Sequence, residues 1–284
     1  MIDFHIHPDF SYDSRASTED IVEAALDKGI EAICFTTHID LNPKRRAIDP
    51  FVRVDGKLVP LVDESVEAFI SRIHRAADEN ADRLAIFVGF EFSYGRHFED
   101  EIARFIEKFR PDFYLGAIHC LENIGISGRH EAPGYFRSVG IEKAVDDYFS
   151  AMNDLVKSRL FTTVAHIDGL KKYGHRFYGD ELYRLMELRF GAIFDLMSDS
   201  GVGIEVNTSS LRSGFTEMFP SKRLLEMARD AGVTVNSVGS DAHFATDVGF
   251  GIESAYRLIE RVGIGIAGPL AEFGSRKTSS RSSN

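Results

Sequence analysis

Six of the ten histidines in the chain stand at or just past the end of a short apolar run, and carboxylates accompany them. His5 and His7 follow Ile2–Phe4, His38 follows Ala32–Thr36, His119 ends the stretch after Phe113–Ile118, His166 follows Thr162–Ala165, and His243 follows Thr234–Val238. Glu91 closes Ala85–Phe90, and Asp241 lies two residues before His243. A lone His-x-His arises readily by composition, and a single strand-end histidine is ordinarily a hydrogen-bonded structural residue. The joint pattern is different. Six imidazoles and two or more carboxylates converging without a cation would leave half-desolvated polar groups unpaired. Imidazole with carboxylate and no thiolate suits Zn²⁺, Mn²⁺ or Fe²⁺, whereas Mg²⁺ and Ca²⁺ prefer all-oxygen shells. These residues exceed what one tetrahedral or octahedral ion can use, which implies two or three divalent ions. On an extended segment positions i and i+2 share a face, so His5 with His7, and Asp241 with His243, can each chelate one ion.

Such convergence needs elements that bring distant residues to one edge. Seven apolar runs, the six above and Gly203–Val206, alternate with amphipathic stretches at Asp63–Ala81, Phe98–Phe109, Ile141–Ser158, Asp180–Ser200, Pro220–Ala231 and Ile252–Val262. The first helix begins earlier, with Ser17 as N-cap and Asp20 three residues on, and Gly29 stops it. This is the pattern of repeated βα units. The expected fold is an α/β parallel barrel in one domain over residues 1–273; an open doubly wound sheet is the competitor. A barrel gathers strand ends around one rim, as the polar residues demand. Leu41–Leu61, with three prolines and Lys44-Arg45-Arg46, and the Gly-rich Leu121–Val139 are expected to be long loops. The Ser-rich tail over 274–284 is expected to be disordered.

Composition narrows the partners. The chain of 284 residues carries 33 Lys+Arg against 44 Asp+Glu, a formal charge of −11, which disfavours a nucleic-acid or membrane surface. No apolar run approaches a membrane span, Cys34 and Cys120 are too few for a disulfide framework, and Met1–His5 lacks signal-peptide features. A reducing, cytoplasmic location is expected.

The motifs Asp3-Phe4-His5-Ile6-His7, Phe35-Thr36-Thr37-His38, Gly89-Phe90-Glu91, Gly116-Ala117-Ile118-His119, Ala165-His166-Ile167-Asp168 and Gly239-Ser240-Asp241-Ala242-His243 resemble, in order, those of the PHP (polymerase and histidinol phosphatase) superfamily. The resemblance spans nearly the whole chain and implies a distorted seven-stranded, TIM-barrel-like (β/α) barrel with a trinuclear metal site. It places His5, His7, Glu91 and Asp241 on one ion, with Glu91 bridging to a second ion held by His119 and His166. A third ion would be held by His38, His243 and Asp13, where several members have histidine. Further segments, among them His166–Tyr173 and Ile204–Arg212, are similar to the histidinol-phosphatase branch. That likeness implies hydrolysis of L-histidinol phosphate, a late step of histidine biosynthesis.

Phosphate monoesters resist hydrolysis because the dianion repels nucleophiles. The expected solution is a hydroxide bridging two ions and attacking phosphorus in line, with the ions neutralising the phosphoryl oxygens. Asp241 is the carboxylate expected to orient that hydroxide or take its proton. Arg212, after the sixth run, and Lys171, just past His166, are the cations expected to bind the phosphate, ahead of Lys172, Arg45 and Arg46. The partner is thus a small-molecule phosphate monoester. Two alternatives differ in kind: a phosphoesterase acting on nucleotides or nucleic-acid ends, where the net charge of −11 disfavours long nucleic acids and leaves mononucleotides open, and a catalytically silent interaction barrel, which would have no need of so many chelating side chains.

Overall fold

A computed structural model describes residues 1–48 and 51–274; the tail expected to be disordered lies, apart from Gly274, outside the described residues. In chain order the strands are β1 (Ile2–Ile6), β2 (Ala32–Ile39), β3 (Phe51–Val54), β4 (Lys57–Pro60), β5 (Ala85–Ser93), β6 (Phe113–Ala117), β7 (Cys120–Leu121), β8 (Ile124–Gly125), β9 (Thr163–Val164), β10 (Gly203–Asn207) and β11 (Val235–Gly239). The helices are α1 (Thr18–Asp27), α2 (Asp63–Glu79), α3 (Glu99–Phe109), α4 (Ala132–Ser138), α5 (Ile141–Ser158), α6 (Lys171–Tyr178), α7 (Glu181–Ser200), α8 (Ser209–Arg212), α9 (Lys222–Asp230), α10 (Ile252–Val262) and α11 (Gly268–Gly274).

Seven strands pair in the order β1-β2-β5-β6-β9-β10-β11, every pairing parallel. The ends of this sheet meet at its C-terminal edge: Ile6 bridges Ala242, the His7 N–H donates to the Ala242 carbonyl at 2.8 Å, and the Asp241 N–H donates to the His5 carbonyl at 2.7 Å. The sheet is therefore a nearly closed barrel, not an open doubly wound sheet. Its core is rich in aromatic rings: Phe4 of β1 packs on Phe87 of β5 and Phe113 of β6, with ring centroids 5.4 and 5.5 Å apart. Full burial of one such side chain contributes about 1.5–3 kcal/mol.

Helix signals act as expected around this core. Ser17 caps α1 by accepting from the Asp20 N–H at 3.0 Å, and Gly29, at φ +63°, terminates the turn beyond it. Among the described residues no helix is long and apolar enough to cross a membrane.

Two expectations need correction. Leu41–Leu61 is not an irregular loop: β3 and β4 form an antiparallel hairpin around Asp55-Gly56, both at positive φ, and Val52 bridges to Ser11. Asp-Gly is the pair that a two-residue primed turn selects, because both positions need the left-handed region. Leu121–Val139 likewise holds most of the β7–β8 hairpin, turned at Glu122-Asn123, and then α4. Both structured insertions lie on the C-terminal side of the barrel.

Candidate metal centre

The strands run further toward the C-terminal rim than their apolar runs suggest, and this carries His5, His38 and Glu91 inside β1, β2 and β5. β1 shifts register between Asp3 and Ile6, a local irregularity of the kind that re-aims side chains beside functional sites. Asp241 and His166 adopt positive φ, +55° and +27°. Such conformations persist only where surrounding contacts dictate them. Asp241 is held by its N–H bond to His5 and by Arg212, whose guanidinium donates to the Asp241 carbonyl at 2.9 Å. Asp3 pins both ends of the loop that follows β11, accepting from the N–H groups of Ser240 and Gly249, each at 2.8 Å. β11 approaches the centre so closely that a Cβ on Gly239 would lie 2.2 Å from the His5 Cβ and 2.4 Å from a Glu205 oxygen.

All nine side chains expected as ligands form one continuous cluster. Glu91, 1% exposed, lies in the middle. One of its oxygens is 3.1 Å from His119 Nε2 and 2.7 Å from His166 Nε2. The other is 3.3 Å from His5 Nε2, 3.6 Å from His7 Nε2 and 2.8 Å from His38 Nδ1. Asp241 Oδ1 lies 3.3 Å from His7 Nε2 and 3.8 Å from His5 Nε2. Asp13 Oδ2 sits between His38 Nε2 at 3.6 Å and His243 Nε2 at 3.4 Å. Two ligands each about 2.0–2.2 Å from a common ion, subtending 90–110°, are themselves about 3.0–3.6 Å apart. Most of these separations have that length. Four overlapping triads, His5/His7/Asp241, His5/Glu91/His166, His38/Glu91/His119 and His7/His38/His243, each bring three donor atoms within 4.8 Å of one another. The donors fit ions in a second way. His5 Nε2, His7 Nε2 and one Glu91 oxygen are buried together without an aligned hydrogen-bond partner among the described residues. Buried polar atoms are rarely left so unless something else satisfies them.

Three of the histidines have their outer ring nitrogen already engaged. His5 Nδ1 is 2.6 Å from Glu205, His119 Nδ1 is 2.9 Å from Ser93 Oγ, and His243 Nδ1 is 3.0 Å from the Asp241 carbonyl. A partner on one ring nitrogen fixes the tautomer and turns the other lone pair toward an ion. Glu205, wholly buried in β10, does this for His5, and its second oxygen accepts the backbone N–H of His166 at 3.0 Å and an Asn207 amide N–H at 3.2 Å. Sequence reasoning did not single out Glu205. The available signal was a lone carboxylate inside an otherwise apolar strand. Glu205→Gln is expected to weaken metal binding or activity about 10–100-fold; competition with a chromophoric chelator measures it, and an unchanged affinity with unchanged turnover would contradict this role.

Charge explains why the cluster would take divalent cations. Burial opposes a charge on His5, yet Glu205, Glu91 and Asp241 outweigh it and raise its pKa well above the ordinary value; burial likewise opposes a charge on His38, but Asp13 and Glu91 push its pKa up to about 10. His7 is lowered by burial and by the neighbouring His38 and His243, and His119 is lowered by burial. Against their own burial, Glu91 and Asp241 are held well below the carboxylate range by the surrounding histidines, and Asp13 is lowered by His38 and His243. In the metal-free protein the two raised histidines stabilise the fold at low pH and lose that contribution as pH rises, for His38 through about 10. An incoming ion must displace those protons. Metal affinity should therefore rise with pH, by up to about two log units per unit, from two displaced protons. Chelator-competition titrations at pH 6, 7 and 8 measure this slope, and a flat or falling affinity would contradict it.

The cluster floors a cavity of about 370 Å³ that also reaches Tyr12, Asp40, Ser127, His130 and Lys172. Of the two cations expected at the phosphate, Arg212 stands behind Asp241, 3.4 Å from Asp247, with one terminal nitrogen buried and without an aligned hydrogen-bond partner among the described residues. Lys171 is not at the rim. Its ammonium is buried at 2.8 Å from Asp168 and over the Tyr183 ring, in a separate cavity, because α6 starts there and turns it inward; Lys172, one residue on, lines the metal cleft.

Known proteins share this arrangement of chain. A probable histidinol-phosphatase of Deinococcus radiodurans is 27% identical over 263 residues, covering 93% of this chain and 94% of that protein. A histidinol-phosphatase of Bacillus subtilis is 28% identical over 269 residues, covering 89% and 97%. The crystal structure of histidinol phosphate phosphatase from Lactococcus lactis, complexed with zinc, L-histidinol and phosphate, superposes with a TM-score of 0.75 at 24% identity, covering 93% of this chain and 94% of that one; at that identity the likeness is one of fold. The PHP domain matches residues 3–209, from β1 through β10, and the relatives carry the likeness on through β11, where Asp241 and His243 follow. The chain belongs to the PHP domain family.

Proposed function

We propose that the protein is a metal-dependent phosphomonoesterase that hydrolyses L-histidinol phosphate to L-histidinol and phosphate, a reaction of histidine biosynthesis. One observation carries most of the weight: Glu91 presents its two oxygens to two different sets of histidines, as a carboxylate bridging adjacent ions would. The relatives named for this activity align along almost their whole length and supply the choice of ester. Two or three Zn²⁺, Mn²⁺ or Fe²⁺ ions bound there would supply Lewis acidity, activating water near neutral pH and neutralising charge on the phosphoryl group.

The chain's own residues do the rest. His5, His7, Asp13, His38, Glu91, His119, His166, Asp241 and His243 hold the ions. Asp241, ionised because the histidines hold its pKa down against its own burial, is suited to accept a hydrogen bond from the attacking water and so orient it. Lys172, which lines the cleft, meets the phosphate in the role expected of Lys171, and Arg212, outside that lining with a buried unpartnered nitrogen, contributes its charge from behind Asp241. Arg212→Ala is expected to lower kcat/KM about tenfold or more, since the charge-assisted bond that it donates to the Asp241 carbonyl, of a kind that contributes about 1.5–3 kcal/mol, is lost together with its charge behind the site. An unchanged kcat/KM would remove Arg212 from the site. The thiol of Cys34, buried in β2, suits the reducing cytoplasm where we place the reaction.

The test is a substrate panel on metal-loaded protein, comparing L-histidinol phosphate with nucleoside monophosphates, other amino-alcohol phosphates and a phosphodiester. L-Histidinol phosphate should lead by at least about tenfold in kcat/KM, a difference of roughly 1.4 kcal/mol. A nucleotide or diester at the head of the panel would overturn the assignment.

A further inference from the structure

Above the metal floor, the cleft is walled by two insertions that follow different strands, and an ion pair between a buried arginine and a half-buried glutamate joins them. Arg45, at the end of the short turn Pro43–Arg45, is only 4% exposed. Its two terminal nitrogens each lie 2.8 Å from a different oxygen of Glu131, and one also donates to the Asn123 carbonyl at 2.7 Å. Around this fork Asn42 donates to the Asn123 side chain at 3.0 Å, and Glu131 accepts the Gly125 N–H at 3.0 Å. The segment after β2 and the segment after β6 are thereby locked together, and Arg45 and Glu131 both line the metal cleft with Ile48, Ser127 and His130.

A bidentate guanidinium–carboxylate fork fixes separation and angle as well as supplying energy. Ion pairs with one partner buried add little net stability compared with apolar replacements, and their best-attested role is to fix one arrangement over others. Both terminal nitrogens of Arg45 are engaged by Glu131, so its charge is neutralised within the wall and is not offered to phosphate. Arg45 and its bonds hold the Glu131 carboxyl down to about 2, which keeps the pair charged throughout any practical assay. Arg45, Ile48, Ser127, His130 and Glu131 together make one side of the cleft above the ligand cluster, so an alcohol substituent that extends from a phosphate at the floor to that side meets this wall.

Building on the function proposed above, we infer that the Arg45–Glu131 pair positions the wall that receives the alcohol half of the substrate, and so sets which phosphate esters fit. The two halves of the substrate can be probed apart, with inorganic phosphate and L-histidinol as competitive inhibitors of L-histidinol phosphate hydrolysis. In Arg45→Met and in Glu131→Gln the inhibition constant for L-histidinol should rise about tenfold, that for inorganic phosphate should stay within about twofold, and metal content should be unchanged. The double variant should be no worse than the worse single one, because either change breaks the same pair. If Arg45→Met does not fold, Glu131→Gln, whose side chain is 35% exposed, and Arg45→Lys carry the test. Equal weakening of both inhibitors, weakening of phosphate alone, or no change would overturn the inference. If the wild-type protein does not hydrolyse L-histidinol phosphate, the functional assignment falls; the pair is then judged with inorganic phosphate and the free alcohol of whichever ester is hydrolysed.

Discussion

Glu91→Gln should lower kcat/KM by about a thousandfold or more and release at least one bound ion, because a carboxylate in the bridging role proposed for Glu91 would contribute to two ions, each worth several kcal/mol to the transition state. Glutamine keeps the volume but loses the charge, and its amide NH₂ cannot act as a ligand. The side chain has no room to turn away. It is buried among His5, His38, His119 and His166, all within 3.3 Å of one of its oxygens. Removing the carboxylate would also leave the raised pKa values of His5 and His38 without one of their supports, so the metal-free variant should bind fewer protons near neutral pH. Elemental analysis of the purified variant, with steady-state kinetics in excess metal, checks both parts. Full metal content with turnover within tenfold of wild type would contradict the central place given to Glu91.

Asp241→Asn should produce the second large effect, a fall in kcat of about 10²–10⁴, in the range of a lost general base or orienting group. The exchange keeps the shape and the backbone contacts with His5 and Arg212. Asparagine retains one oxygen that can face His7, so at least two ions should remain bound. Retained metal with lost turnover supports an orienting role for the carboxylate. Joint loss of metal and activity would leave Asp241 as a ligand only, and unimpaired turnover would exclude it from both.

The barrel and its metal cluster were legible in the sequence for the same physical reason. A parallel strand buried on both faces is a nearly continuous apolar run, so the first titratable residue at or past the end of each run marks the rim. That is how His38, Glu91, His119, His166 and Asp241 stand out in a single chain. Asp13 stood apart, on a loop after β1, and rested on family likeness; the structure brings it to His38 and His243.

Other features were hidden because they depend on phase or on partners remote in sequence. Lys171 and Lys172 are adjacent, but consecutive helical residues point about 100° apart, so only one can face the cleft. Proximity to His166 could not decide which. Glu205 supports His5 across 200 positions of sequence, and its strand alone does not reveal that contact. The β3–β4 hairpin had a visible Asp55-Gly56 turn, outweighed by prolines and a basic run that read as loop. The partner of Arg45 was equally invisible, since Glu131 lies 86 residues away in another insertion.

The most direct measurement is turnover of L-histidinol phosphate by chelator-stripped protein as Zn²⁺ or Mn²⁺ is added back in known equivalents. Activity should be absent at the start, should lag through the first equivalent, and should appear as the second equivalent binds, reaching a plateau at two or three ions per chain. Full activity in the stripped protein, a plateau at a single equivalent, or metal uptake without hydrolysis of L-histidinol phosphate would contradict a multinuclear histidinol-phosphate phosphatase.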